Sequence, residues 1–176
     1  MDGFSLTCAI ISMVFMVVFN FICIRKFGLL SCFSAYGAKW GDWAKTHINM
    51  AGTTNIWTHI TIVSALLLIP PVLTTTIGNQ LQFLFFFMPA YLLLVGLTPD
   101  YKEDYKHYVY HLIGVGLTAL SLIFWLIYAV HKIGILFPVL TLALIIAFAT
   151  NTFKGSWIYY LEMTLYLTAY IALLIF

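Results

Sequence analysis

His59, Asp104, His107, His111 and Glu162 are the side chains in this sequence best suited to chemistry. Asp104, His107 and His111 stand at i, i+3 and i+7, so a helix would carry a carboxylate and two imidazoles on one face. A His-xxx-His pair at helical spacing can chelate a metal, and two histidines with a carboxylate suit zinc or iron(II). A third imidazole would have to come from His59 on another segment. No Glu follows either histidine in the HExxH manner of the zinc hydrolases. Glu162 sits among apolar residues, where a carboxyl either finds a histidine or stays protonated. A hydrogen-bonded structural cluster, pairing His111 with Glu162, satisfies these groups in the ordinary way, and no metal is assigned. Zinc on His59, His107 and His111 is the alternative. No Gly-rich phosphate loop and no GxSxG elbow accompanies these residues. Cys8, Cys23 and Cys32 make no CxxC or Cys/His metal spacing.

The elements that must position these groups follow from composition. Of 176 residues, 63% are hydrophobic and only 8% charged, with a mean hydropathy of +1.02. A soluble domain carries about 25% charged residues, so this chain lacks the charge to cover a water-facing surface. It is too apolar for a disordered segment, and it has no basic stripe for nucleic acid. A single integral membrane domain, 1–176, remains.

Six runs approach the ~20 apolar residues that a spanning helix needs: 4–24, 57–77, 80–97, 108–130, 134–151 and 156–176. The sequence therefore predicts an all-α, polytopic six-helix transmembrane bundle. Arg25-Lys26 follow the first run and Asp2 precedes it, which reads as a retained span and not a signal peptide. Pro70-Pro71 and Pro89 fall inside runs, where kinks are expected and helix ends are not. With the N-terminus outside, Arg25, Lys26, Lys39, Lys45, Lys102, Lys106 and Lys154 are cytoplasmic and only Lys132 is not. The positive-inside rule thus places both termini outside. Short loops and few cysteines fit a bacterial inner membrane.

Within the long first loop, Phe33, Tyr36, Trp40, Trp43, His47 and Met50 recur at three- and four-residue steps. Lys39, Asp42, Lys45, Thr46 and Asn49 take the other face. That pattern predicts a cytoplasmic interfacial helix anchored by Trp40 and Trp43, serving as an anchor, a lid or a headgroup contact. Under this topology His59, His107, His111, Glu162, Asn20 and Asn151 all fall in the cytoplasmic third of the bilayer, a polar floor beneath an apolar bundle. Gly114, Thr118 and Ser121 continue the histidine face, and such small residues admit a close neighbouring helix.

The stretch Val95-Gly96-Leu97-Thr98-Pro99-Asp100, followed by charged residues and then His111-Leu112-Ile113-Gly114-Val115-Gly116, resembles the six-span membrane superfamily related to the DRAM/Frag proteins, in its bacterial branch of unknown function. The resemblance makes His111 the family histidine and Pro99 the turn proline. Lys154-Gly155-Ser156-Trp157, leading into the span with Glu162, is similar in layout. Thr98 stands where that family places a bulky apolar residue. The resemblance implies a fold and transfers no catalytic residue.

The functional expectation is a non-enzymatic membrane protein that binds a lipid headgroup, or a partner membrane protein or second copy, at the cytoplasmic polar cluster. A metal-dependent lipid hydrolase of the ceramidase-like kind is the alternative, with Asp104 or Glu162 as base. Small-solute transport is weaker still, because the runs show no inverted repeat.

Overall fold

The computed structural model describes residues 1–47, 56–80, 82–98, 105–133 and 156–175. Asp2 opens the first helix, α1 (Gly3–Phe27), by accepting the Ser5 amide at 2.8 Å and the Ser5 hydroxyl at 2.9 Å. These bonds satisfy an amide that the helix leaves without an internal acceptor. Gly28 ends α1 at φ +74°, where a side chain would be strained, and its N–H bonds the Ile24 carbonyl at 2.9 Å. There follow α2 (Ala35–His47), α3 (Ile56–Thr75), α4 (Gln82–Leu97), α5 (Tyr105–Ile133) and α6 (Trp157–Ile175). All regular structure among the described residues is helical.

Four of these helices contain stretches long and apolar enough to cross a membrane: α1, α3, α5 and α6. At 16 residues α4 is about 24 Å long, short of a hydrocarbon core of about 30 Å. The expected run 134–151 lies outside the described residues, as do Asn151, Pro99 and Met50. Helix α3 continues through Pro70 and Pro71, and α4 through Pro89. The Thr74 and Thr75 hydroxyls bond the Pro70 and Pro71 carbonyls at 2.8 and 2.9 Å, the kind of local repair that lets proline stay in an apolar helix.

Named contacts fix the order of packing. Ser5 of α1 meets Thr74 of α3, and Ser12 bonds the Ser64 carbonyl, so α1 and α3 are antiparallel. Helix α4 returns along α3, with Gln82 bonding the Leu73 carbonyl and Gly96 set against Thr61 and Ile62. Helix α5 returns along α4: Thr98 meets His111, Gly114 meets Tyr91 and Leu94, and Phe85 meets Tyr128. Helix α6 runs against α1, pairing Tyr159 with Asn20 and Tyr170 with Ser12. The ends of the bundle are therefore chemically distinct. One holds Asp2, Ser5 and Thr74; the other holds α2, His111 and Glu162.

Trp57, Trp125, Phe85 and Leu173 are buried between the helices, while Phe21, Leu66, Phe124 and Ile175 stand exposed on helix exteriors. An apolar exterior of this kind suits a nonpolar solvent and not water. The face of α5 with His111, Gly114, Thr118 and Ser121 is buried, and a Cβ on Gly114 would lie 3.0 Å from Leu94 Cβ and 3.1 Å from the Tyr91 carbonyl oxygen.

The aromatic stripe of helix α2 turns toward the bundle. Phe33, Tyr36 and Trp40 are buried against the bundle, with Phe33 beside Trp57, Tyr36 beside Tyr159 and Trp40 between Phe19 and Phe27. The Trp40 indole N–H donates to Cys23 Sγ at 3.2 Å. Trp43 is half-buried, with the Lys26 ammonium 3.5 Å above its ring. Trp40 thus packs into the aromatic cluster at the ends of α1 and α3. Lys39, Asp42, Lys45 and Thr46 form the exposed face.

Candidate functional site

The turn before α2 is pinned from α6. Tyr159 donates its N–H to the Ser31 carbonyl at 3.0 Å, and Phe33 donates its N–H to Glu162 Oε2 at 2.6 Å. The Tyr36 amide already bonds the Phe33 carbonyl at 3.1 Å, so Glu162 sits at the amino end of α2. A carboxylate there meets unsatisfied amides and the positive end of the helix dipole. Beside this bond lies a cavity of about 50 Å³ bounded by Glu162, Ser34, Val95, Thr118 and Tyr166.

His111 serves a different element. It is 3% exposed, and its Nδ1 lies 3.0 Å from the Thr98 hydroxyl, which itself donates to the Leu94 carbonyl at 2.8 Å. His111 thus ties the start of α5 to the end of α4. The expected His111–Glu162 pair does not form, since the carboxylate takes the Phe33 amide instead. A helix terminus lacks partners for its amides, so it competes well for an acceptor. His107 is half-buried one turn earlier, and His59 is exposed on α3, off the buried face of Trp57, Thr58 and Thr61. Asp104 lies outside the described residues. Among the described residues no three His, Cys, Asp or Glu side chains are grouped to hold a metal ion, and all three histidines of the zinc alternative are among them. Helix rotation explains this: His59 falls on the outward side of α3 when Trp57 and Thr61 face in.

A groove of about 490 Å³ opens toward this end between α1 and α6. Its wall is mostly apolar, with Met16, Val17, Met163 and Leu167 along it. Its polar members are Asn20, Tyr159 and Tyr160, together with Tyr166 and Tyr170. Asn20 is held between two groove residues, accepting from the Tyr159 hydroxyl at 2.8 Å and donating to Met163 Sδ at 3.0 Å. Arg25 follows the groove residue Ile24 and is exposed, its guanidinium 5.7 Å from the Phe21 ring centre.

Two polar contacts at the opposite end and middle of the bundle were not legible in the sequence. The Thr74 hydroxyl approaches Asp2 Oδ2 at 3.2 Å, and the Ser12 hydroxyl and the Tyr170 hydroxyl meet at 2.7 Å. Asp2 is fully exposed, and the Ser5 amide and hydroxyl hold its carboxyl below the usual range. On α2, burial pushes the Tyr36 phenol above its ordinary value, while its hydroxyl donates to the Gly28 carbonyl at 2.9 Å. The signal available was only the spacing of Ser5 and Ser12, which share a face of α1.

Comparison of the chain with protein-family models, curated proteins and solved structures gave no match.

Proposed function

We propose that this chain is a multi-pass membrane protein of six spans that binds a membrane lipid, acyl chain in the α1/α6 groove and anionic headgroup at Arg25. The observation that carries the reading is the groove itself. Its volume, about 490 Å³, falls in the range of small-molecule sites, its walls are apolar, and its polar groups are few. A cation at one end of an apolar channel is the arrangement an anionic lipid requires. Lys26 is engaged over the Trp40 and Trp43 rings at 4.1 and 3.5 Å, which leaves Arg25 as the nearer cation for a phosphate.

Six spans are supported by the direction of the described helices. Helix α5 starts at the His111 end and finishes at the Asp2 end, whereas α6 starts again at the His111 end. The proposal includes termini outside and a bacterial inner membrane, on the charge asymmetry, and a DRAM/Frag-like fold, on the resemblance around His111. No chemical step is assigned to the histidines.

Native mass spectrometry of the full chain in mild detergent tests the reading. Bound phosphatidylglycerol is expected on the parent. Val17→Trp and Leu167→Trp fill the groove from opposite walls at exposed positions, and each should reduce retention about tenfold, equivalent to about 1.4 kcal/mol. Arg25→Gln should lower retention of phosphatidylglycerol and leave phosphatidylcholine unchanged. Equal lipid retention by the parent and both tryptophan variants would defeat the proposal.

A further inference from the structure

The groove between α1 and α6 holds an amide whose orientation is fixed and whose donors are not used up. Asn20 lies on the groove wall and is half-buried. Its side-chain oxygen accepts from the Tyr159 hydroxyl at 2.8 Å, and its nitrogen donates to Met163 Sδ at 3.0 Å. A thioether sulfur can only accept, so the amide nitrogen belongs on the Met163 side and the oxygen on the Tyr159 side. Tyr159 is itself held in place: it is buried, its N–H bonds the Ser31 carbonyl at 3.0 Å, and its ring packs edge-on against Tyr36 and Tyr160.

An amide nitrogen carries two donors. The sulfur, a weak acceptor, takes one of them, and the other has no partner among the described residues. The Tyr159 and Tyr170 hydroxyls of the same wall are committed to Asn20 and Ser12. Tyr166 lies about 10 Å beyond Tyr159 along α6, at the depth of the lipid tails under the reading above. A donor without an acceptor in an apolar groove is costly, so the ligand that fits best brings an acceptor to Asn20. A headgroup at Arg25 fixes the depth of that point, because Asn20 precedes Arg25 by five residues and lies about 7.5 Å deeper along α1. In a glycerolipid the region between phosphate and hydrocarbon holds the ester carbonyls, which accept hydrogen bonds and carry no donor.

We propose that Asn20 donates its second amide N–H to an ester carbonyl of the bound lipid, which makes the groove selective for ester-linked over ether-linked glycerolipids. The inference rests on the lipid reading and adds the linkage class to it. Diester and diether lipids share headgroup and tails, so discrimination between them reports an acceptor at this depth and not the charge at Arg25 or the apolar walls.

Native mass spectrometry of the full chain with an equimolar mixture of diester and diether phosphatidylglycerol, matched in chain length, tests this. The parent should retain the diester about fivefold over the diether, the worth of one neutral hydrogen bond. Asn20→Leu, of similar size, should remove that preference without lowering diether retention. Infrared spectra with lipid isotope-labelled at the ester carbonyls add a readout of the bond itself: the carbonyl band should move to lower wavenumber on binding to the parent and not to Asn20→Leu. The parent measurements need no variant, so the test stands if Asn20→Leu does not fold. Equal retention of the two lipids by the parent would overturn the inference and leave the lipid reading in place. An ester preference that persists unchanged in Asn20→Leu would also overturn it. Retention of neither lipid would remove the lipid reading, and this inference with it.

Discussion

A Cβ on Gly37 would stand 2.9 Å from Trp57 Cε3 and 3.0 Å from Cδ2. Trp57 is fully buried, with Phe33 at 5.9 Å between ring centres, so the indole has little room to withdraw. Gly37→Ala should therefore destabilise the protein by about 1–3 kcal/mol, the usual cost of overpacking. Gly116→Ala is the control: nothing lies within 4 Å of its Cβ position, and helix propensity should make it neutral or stabilising by up to about 1 kcal/mol. Thermal unfolding by circular dichroism in detergent compares the two. The requirement at residue 37 is invisible in sequence, where Gly37 reads only as a weak point in a short helix. Asp2 gives a pH-dependent test at the same scale. Its carboxyl is held below its ordinary value by Ser5, so its contribution is present above the ordinary carboxyl range and disappears as pH falls through the lower folded value. The Tm should fall on the acid side, and Asp2→Asn should flatten that limb. An unchanged acid limb in Asp2→Asn would remove the cap from the account.

At the scale of elements, what was legible is what periodicity and run length can encode. The ends of α1, α3, α4, α5 and α6 fall within a few residues of the apolar runs, because a long apolar stretch in a low-charge chain has few alternatives to a helix. The buried stripe His111, Gly114, Thr118 and Ser121 was equally readable, since small residues at helical spacing mark a packing face. What covers a face is not encoded in its period. The aromatic stripe of α2 could meet headgroups or protein; it meets protein because Phe19, Phe27 and Trp57 come together at that end of the bundle. Likewise, the Glu162 partner was a backbone amide, which no residue type announces. The contact between α4 and α5 makes the strongest prediction of this class. A methyl at Gly114 meets the Tyr91 carbonyl oxygen at 3.1 Å, and backbone cannot move aside as a side-chain tip can. Gly114→Ala should cost about 1–3 kcal/mol, and larger residues more. Equal Tm values for Gly114→Ala and the parent would show that α4 and α5 have slack at this crossing.

The whole molecule poses a directional question that its parts constrain together. Contacts place Arg25, Lys26, Lys39 and Lys45 at the end of the bundle shared by His111 and Glu162, and Asp2 at the other. Under the proposed membrane reading the helices pack identically in either orientation, so the orientation is decided by the flanking charges. Seven of the eight Lys and Arg residues belong to one side under the six-span reading, and translocating that side would carry them across the membrane. The end that carries α2 should therefore face the cytoplasm. A Cys8→Ser/Cys23→Ser/Cys32→Ser background removes the native thiols, two of which are buried. Single cysteines at Ile77 and Lys45, both exposed, then report the two ends. In intact cells a membrane-impermeant maleimide should label Ile77→Cys, and it should reach Lys45→Cys only after the membrane is opened. The reverse pattern would invert the orientation and move Arg25, with its proposed headgroup contact, to the outer leaflet. Labelling of both positions in intact cells would mean that the chain inserts in two orientations. Adding lysines next to Lys45 should then restore a single one, because the bias lies in the charges and not in the packing.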